Sequence, residues 1–99
     1  MKRAVIAGYS RSPFTMARKG ELIDVKPVNM FAEVVKNLVS KTKVNPADIE
    51  DIVVGCAFQV GEQSFNIGKL TTFLSGMEIH TSGMTVDRWC GSSMEAIHV

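Results

Sequence analysis

Short continuous apolar runs alternate along this chain with longer stretches in which apolar residues return every three or four positions. Ala4 to Ala7 is a run rich in branched residues, closed by Gly8 and then by Ser10, Arg11, Ser12 and Pro13, and it predicts a first strand that enters a loop. From Pro27 onward Val28, Phe31, Val35, Leu38 and Val39 recur at helical spacing with Glu33, Lys36, Asn37 and Ser40 between them, which predicts an amphipathic helix covering a sheet face. Asn45, Pro46 and Asp48 supply a capping side chain, a proline preset for a first turn and an acid near its positive end, so a short helical turn is expected there. IVVGCA, residues 52–57, is nearly continuous and reads as a strand covered on both faces. Over residues 66–75, Ile67, Leu70, Phe73 and Leu74 share one helical face, with Gly76 where a left-handed cap commonly sits. Residues 84–89 predict a third strand, and Met94, Ala96 and Ile97 follow in helical order over 92–99.

Strand, helix, strand, helix, strand, helix is the order of an α/β fold with a mainly parallel sheet covered by helices. Neither a repeat nor a linker-like stretch divides residues 1–99, so they are expected to belong to one domain. The segment SSMEAIHV still reads as helix at its last residue, with no glycine stop and no basic last turn, and the expectation is an incomplete domain ending inside that helix.

Composition narrows the function classes. Of 99 residues, 45% are hydrophobic and 21% charged, the balance of a globular interior with a polar skin. Eleven basic residues against ten acidic ones leave a net charge of +1 with no block of one sign, which gives no footprint for nucleic acid or anionic lipid. The opening MKRAVIAGYS holds an apolar run too brief for a signal-peptide core and far below a membrane span of about 20 residues, so a cytoplasmic protein with no membrane partner is expected. Two cysteines far apart in sequence, Cys56 and Cys90, suit neither a disulfide scaffold nor a metal site, and no metal and no bound cofactor are expected.

The two cysteines differ in setting. Cys56 lies inside the apolar run IVVGCA and is expected to be a packing residue. Cys90 lies in VDRWCGSSMEAIH, at a junction of strand and helix, where the first N–H groups of a helix have no partners of their own. The positive helix end suits a thiolate, and the same N–H groups can bind the oxyanion formed when that thiolate attacks a thioester carbonyl. Gly91 permits close approach of substrate to backbone, and Ser92 and Ser93 suit an opening helical turn. If the strand ran straight to Cys90, alternation would put Arg88 on the side of the thiol and Asp87 with Trp89 on the other. Spacing alone fits equally an ordinary buried cysteine beside a tight turn.

A cysteine nucleophile needs a base, and the chain offers only two histidines. His98 lies eight positions beyond Cys90, about 12 Å along a helix, too far for a direct hydrogen bond. His80 lies in the loop-like GMEIHTSG and is expected to be solvated rather than catalytic.

The segment VDRWCGSSMEAIH resembles the nucleophile motif of the thiolase family, in which a strand ending in Val-Asn-Arg-hydrophobic-Cys runs into Gly-Ser-Ser/Gly and a helix. AVIAGYSRSPF resembles the first strand and Arg-Ser/Thr-Pro loop of that family, NPADIEDIVVGCAFQ its helical turn and second strand, and NIGKLTTFLSG the helix that follows. The resemblance spans nearly the whole chain in the family's order. It implies that Cys90 is the acylated nucleophile, with its backbone N–H in the oxyanion hole. In the family the activating histidine, the second cysteine and most coenzyme A contacts come from later sequence. It implies as well part of the N-terminal half of a layered fold of two similar halves, and a homodimer or homotetramer in which the strand before the nucleophile lies near the dimer contact. Asp87 departs from the family's asparagine and puts in doubt the hydrogen bonds made there.

The activity so implied is thiolase-type acyl transfer between coenzyme A thioesters through an acyl-cysteine, by thiolysis of a 3-ketoacyl-CoA or the reverse condensation, in fatty acid metabolism, with acyl-CoA as substrate. Two alternatives come from other classes: a truncated, inactive thiolase-like module that binds a partner through exposed apolar surface, and a redox protein using Cys90, which the lack of a nearby resolving cysteine argues against.

Overall fold

The computed structural model describes residues 1–99, and its regular elements begin at Pro27. Helix α1 spans Pro27–Thr42, strand β1 Asp51–Gly55, helix α2 Ile67–Leu74, strand β2 Ser82–Val86 and helix α3 Ser92–His98, with single 3-10 turns at Pro46–Asp48 and Gly61–Gln63. The two strands pair in parallel, Asp51 opposite Ser82 through Gly55 opposite Val86, with α2 as the crossover between them. No helix is long and apolar enough to cross a membrane.

Side-chain alternation along β1 builds the layers. Ile52, Val54 and Cys56 point to one face, where they meet Ile67 of α2 and Val28 and Phe31 of α1. Gly55 points to the other face and lies against the backbone of Ser92 and Ser93 at the start of α3. The sheet is therefore covered on both faces, as the continuous apolar run of β1 predicts. The start signals act as expected: Pro27 occupies the first turn of α1, and the Asn45 side chain accepts a hydrogen bond from the Ala47 N–H at 3.1 Å beside Pro46. At the end of α2, Gly76 takes a φ of 74° and the Met77 N–H reaches the Thr72 carbonyl at 3.1 Å, the long bond of a Schellman turn.

Three expectations are corrected. Ala4 to Ala7 is not a strand: Val5 and Ile6 are 81% and 82% exposed, and the backbone of residues 1–15 makes no hydrogen bond to other backbone. A strand needs a ladder, and no strand of this chain lies beside the segment. It instead runs along α1, held where Ser10 donates to Asn37 at 2.8 Å and the Lys41 ammonium reaches the Tyr9 carbonyl at 3.2 Å and lies over its ring. Together with Leu38, Val39, Val44, Ile52 and Met77 it borders an open apolar cleft of about 720 Å³.

The second correction concerns the face of α2. Gly68, Thr71, Thr72 and Ser75 turn inward with Ile67, while Leu70, Phe73 and Leu74 remain exposed, Phe73 by 64%. The buried hydroxyls are satisfied within their own helix, Thr71 on the Ile67 carbonyl at 2.8 Å and Ser75 on the Thr71 carbonyl at 2.6 Å, so burial leaves no polar atom unpaired. The third is a shift: β2 occupies 82–86, not 84–89, because the ladder to β1 fixes its register, and Cys56 extends that ladder by donating to the Val86 carbonyl at 3.0 Å.

Asn66 ties α2 to β2. Its side-chain oxygen accepts from Thr85 Oγ1 at 2.7 Å and from the Lys69 N–H at 3.3 Å, and its amide donates to the Gly83 carbonyl at 3.0 Å. It also takes a left-handed φ of 55°, which asparagine tolerates better than other non-glycine residues. Asn66→Ala is expected to cost about 2 kcal/mol, as a lost cap plus an orphaned strand carbonyl, and to lower the urea midpoint; an unchanged midpoint would mean that the bridge is dispensable.

Candidate active site

Beyond Val86 the chain leaves the sheet and turns through Asp87–Gly91 into α3. Asp87 Oδ1 accepts the Trp89 N–H at 2.9 Å, an Asx-type turn, and Trp89 takes a φ of 49° in the left-handed region. The Gly91 N–H then bonds the Arg88 carbonyl at 2.9 Å and the Ser92 N–H bonds the Trp89 carbonyl at 3.2 Å. Cys90 stands at the crest of this turn with an exposed, unbridged thiol. Within residues 1–99 the Cys90 thiol is not buried, unlike that of Cys56.

Around the crest, backbone donors are left over. The N–H groups of Cys90, Ser93 and Met94 have no acceptor in the chain, the first bond inside the helix region being that of the Glu95 N–H to the Gly91 carbonyl at 3.0 Å. An exposed sulfur beside free backbone donors can attack a carbonyl carbon and offer hydrogen bonds to the oxygen that becomes negative.

The remaining candidates part company. Cys56 is buried in the core cluster, its thiol toward the Phe58 carbonyl at 3.5 Å, as its apolar run predicts. Arg88 is not the thiol's charge partner: β2 ends before it, so the strand alternation that would align it with Cys90 is lost, and its guanidinium donates to Glu95 at 2.9 Å. His80 is exposed, with its ring nitrogen 3.0 Å from the Ala47 carbonyl, and His98 is exposed near the end of α3; neither is brought to the turn. No three His, Cys, Asp or Glu side chains stand close enough together to hold a metal ion.

Two roles were not legible in advance. Asp87 supplies to Trp89 the acceptor that an asparagine side-chain oxygen could equally supply, so this particular bond survives the departure from the family motif. Ser92, read from sequence only as a good residue for a helix start, is buried with its hydroxyl bonded back to both residues that precede Cys90. The one available signal was a serine two positions after the cysteine.

Comparison with known proteins agrees with the geometry. The family model described as thiolase, N-terminal domain, matches residues 4–99. A 3-ketoacyl-CoA thiolase of Colwellia psychrerythraea is 39% identical over 99 residues, which is 99% of this chain and 26% of that protein, and one of Vibrio vulnificus is 36% identical over the same span. Among solved structures, the Bacillus anthracis acetyl-CoA acetyltransferase superposes with a TM-score of 0.72 at 26% identity over 80% of this chain and 20% of that one. Two others below 25% identity agree in fold: an acetyl-CoA acetyltransferase of Syntrophomonas wolfei, at a TM-score of 0.85 and 20% identity over 95% of this chain and 23% of that one, and the Acat5 thiolase of Ascaris suum in complex with coenzyme A, at 0.75 and 24% over 81% and 21%. The chain thus spans about a quarter of the length of the curated relatives it matches.

Proposed function

This chain belongs to the thiolase N-terminal domain family, and from that premise we propose that it carries the nucleophile of a thiolase-type acyltransferase. Cys90 is the residue acylated. The observation that carries this reading is the exposed thiol of Cys90 at the crest of the turn into α3, beside backbone N–H groups with no acceptor of their own.

In thiolysis the Cys90 sulfur bonds to the keto carbon of a 3-ketoacyl-CoA and an oxyanion forms, which the Cys90 N–H helps to hold. The oxyanion collapses, the bond between the second and third carbons breaks, and the departing acetyl-CoA carbanion takes a proton. The thiol of coenzyme A then attacks the acyl-cysteine, releasing the shortened acyl-CoA and the sulfur. Running these steps backward is the condensation. The base that frees the thiol and the acid that protonates the carbanion are assigned to residues outside this chain, since neither His80 nor His98 stands at the turn.

On the same reading the substrates are coenzyme A thioesters, with no bound cofactor, and the setting is cytoplasmic fatty acid metabolism in a homodimer or homotetramer. The Ascaris suum thiolase in complex with coenzyme A supports the substrate class. Exposed apolar surface, such as the cleft beside Tyr9, is the feature that favours the other reading, an inactive binding module. Mass mapping of the intact protein after exposure to acetyl-CoA decides between them: one acetyl group on the Cys90 peptide is expected, and no adduct, or an adduct elsewhere, overturns the acyl-cysteine assignment.

A further inference from the structure

We propose that Ser92 is a positioning residue for Cys90, acting through the turn that carries the thiol and its backbone N–H. The inference rests on the acyl-cysteine reading. Ser92 is 4% exposed, although Trp89, Cys90, Gly91 and Ser93 around it all face solvent. Its hydroxyl uses both of its capacities on the turn: it accepts the Arg88 N–H at 2.8 Å and donates to the Trp89 carbonyl at 2.7 Å.

These two bonds bracket Trp89, the residue held at a left-handed φ of 49°. The Trp89 carbonyl belongs to the same peptide unit as the Cys90 N–H. Holding that carbonyl therefore fixes the direction of the donor offered to the oxyanion. Without the serine hydroxyl only the weaker 3.2 Å bond from the Ser92 N–H restrains the carbonyl, and the peptide unit between Trp89 and Cys90 is freer to rotate about the ψ of Trp89 and the φ of Cys90.

Gly55 allows Ser92 to occupy this position. A Cβ at Gly55 would land on the backbone of Ser92 and Ser93, closer than side chains approach backbone, so β1 accepts the start of α3 only through a glycine. The clamp thus rests on the sheet by one side and closes the nucleophile turn with the other.

Two reactions of the same sulfur separate positioning from general damage. Acetylation by acetyl-CoA passes through an oxyanion and needs the aligned N–H, whereas alkylation by iodoacetamide displaces iodide from a methylene carbon and forms none. In the intact protein Ser92→Ala should slow single-turnover acetylation of Cys90 by on the order of 10²-fold, the scale of a small misplacement of reacting groups, while alkylation of Cys90 stays within about twofold. Ser92→Thr, which keeps a hydroxyl, should restore most of the acetylation rate. Acetylation of Ser92→Ala at the unmutated rate overturns the inference, and so does a parallel fall of both reactions in Ser92→Ala that Ser92→Thr fails to relieve. A wild-type protein that takes no acetyl group at Cys90 fails earlier, on the acyl-cysteine reading itself.

Discussion

If Cys90 is the acylated nucleophile, Cys90→Ala is expected to abolish acyl transfer from acetyl-CoA to coenzyme A analogues, by on the order of 10⁴-fold or more, and to leave the unfolding midpoint unchanged. The scale is that of removing a covalent nucleophile rather than a binding contact. The neutrality toward folding follows from the surroundings: the side chain is exposed, forms no hydrogen bond within the chain and belongs to no hydrophobic cluster, so its loss creates no cavity. Cys90→Ser should be almost as inactive, because a serine hydroxyl ionises far less readily than a thiol, and a base placed to deprotonate a thiol leaves it a weak nucleophile. Release of free coenzyme A per mole of protein, followed in one turnover, is the measurement. Retained turnover in Cys90→Ala would move the nucleophile elsewhere, and Cys56 is a poor successor because it is buried in the core.

How much of this was legible in the sequence depends on what each residue signals. Apolar period located α1, β1, α2 and α3, and the capping signals at Asn45 and Pro46 located the turn at 46–48, each to within a residue or two. The same reasoning failed at Ala4 to Ala7, where the apolar run is real but the second half of a strand's requirement, a hydrogen-bonded neighbour, is absent from this chain. It failed differently in α2. Thr71, Thr72 and Ser75 count as polar in any period, yet each satisfies its hydroxyl on a carbonyl three or four residues back and is then free to be buried.

The candidate site divides in the same way. A cysteine followed by glycine and two serines at a change of period marks the junction at Cys90, and the structure places an exposed thiol there. The orientation of Arg88 was not legible, since it depended on where β2 stops, and that is set by register with β1 rather than by composition. The clamp by Ser92 was not legible either. Serines at helix starts are common, and only three-dimensional burial distinguishes one whose hydroxyl turns back onto the preceding loop.

Gly68→Ala tests the packing on which the site's position depends, and its sign is informative. Alanine in place of glycine within a helix ordinarily stabilises by up to about 1 kcal/mol, through the unfolded chain and helix propensity. Gly68 lies in α2 and is buried, and a Cβ there would land on the backbone of Met84, in the middle of β2. Met84 cannot retreat, because it is paired with Val53 in the parallel ladder. A Cβ at Gly83, on the facing strand, would also land on backbone, that of Gly68 and Lys69, so the two glycines form one close approach between helix and sheet. The Gly68 N–H also donates to Thr85 at 3.0 Å, a bond that a displaced helix would lose. Overpacking of this kind costs about 1–3 kcal/mol and here can exceed it, since rigid backbone stands on both sides; a net loss of about 2 kcal/mol or more is expected after the helix-propensity gain. Urea unfolding followed by circular dichroism measures it. A lowered midpoint supports the glycine contact as the feature that sets α2 on β2, and hence where β2 ends and the turn to Cys90 begins; a raised midpoint would show that propensity outweighs contact and that the helix stands farther from the strand.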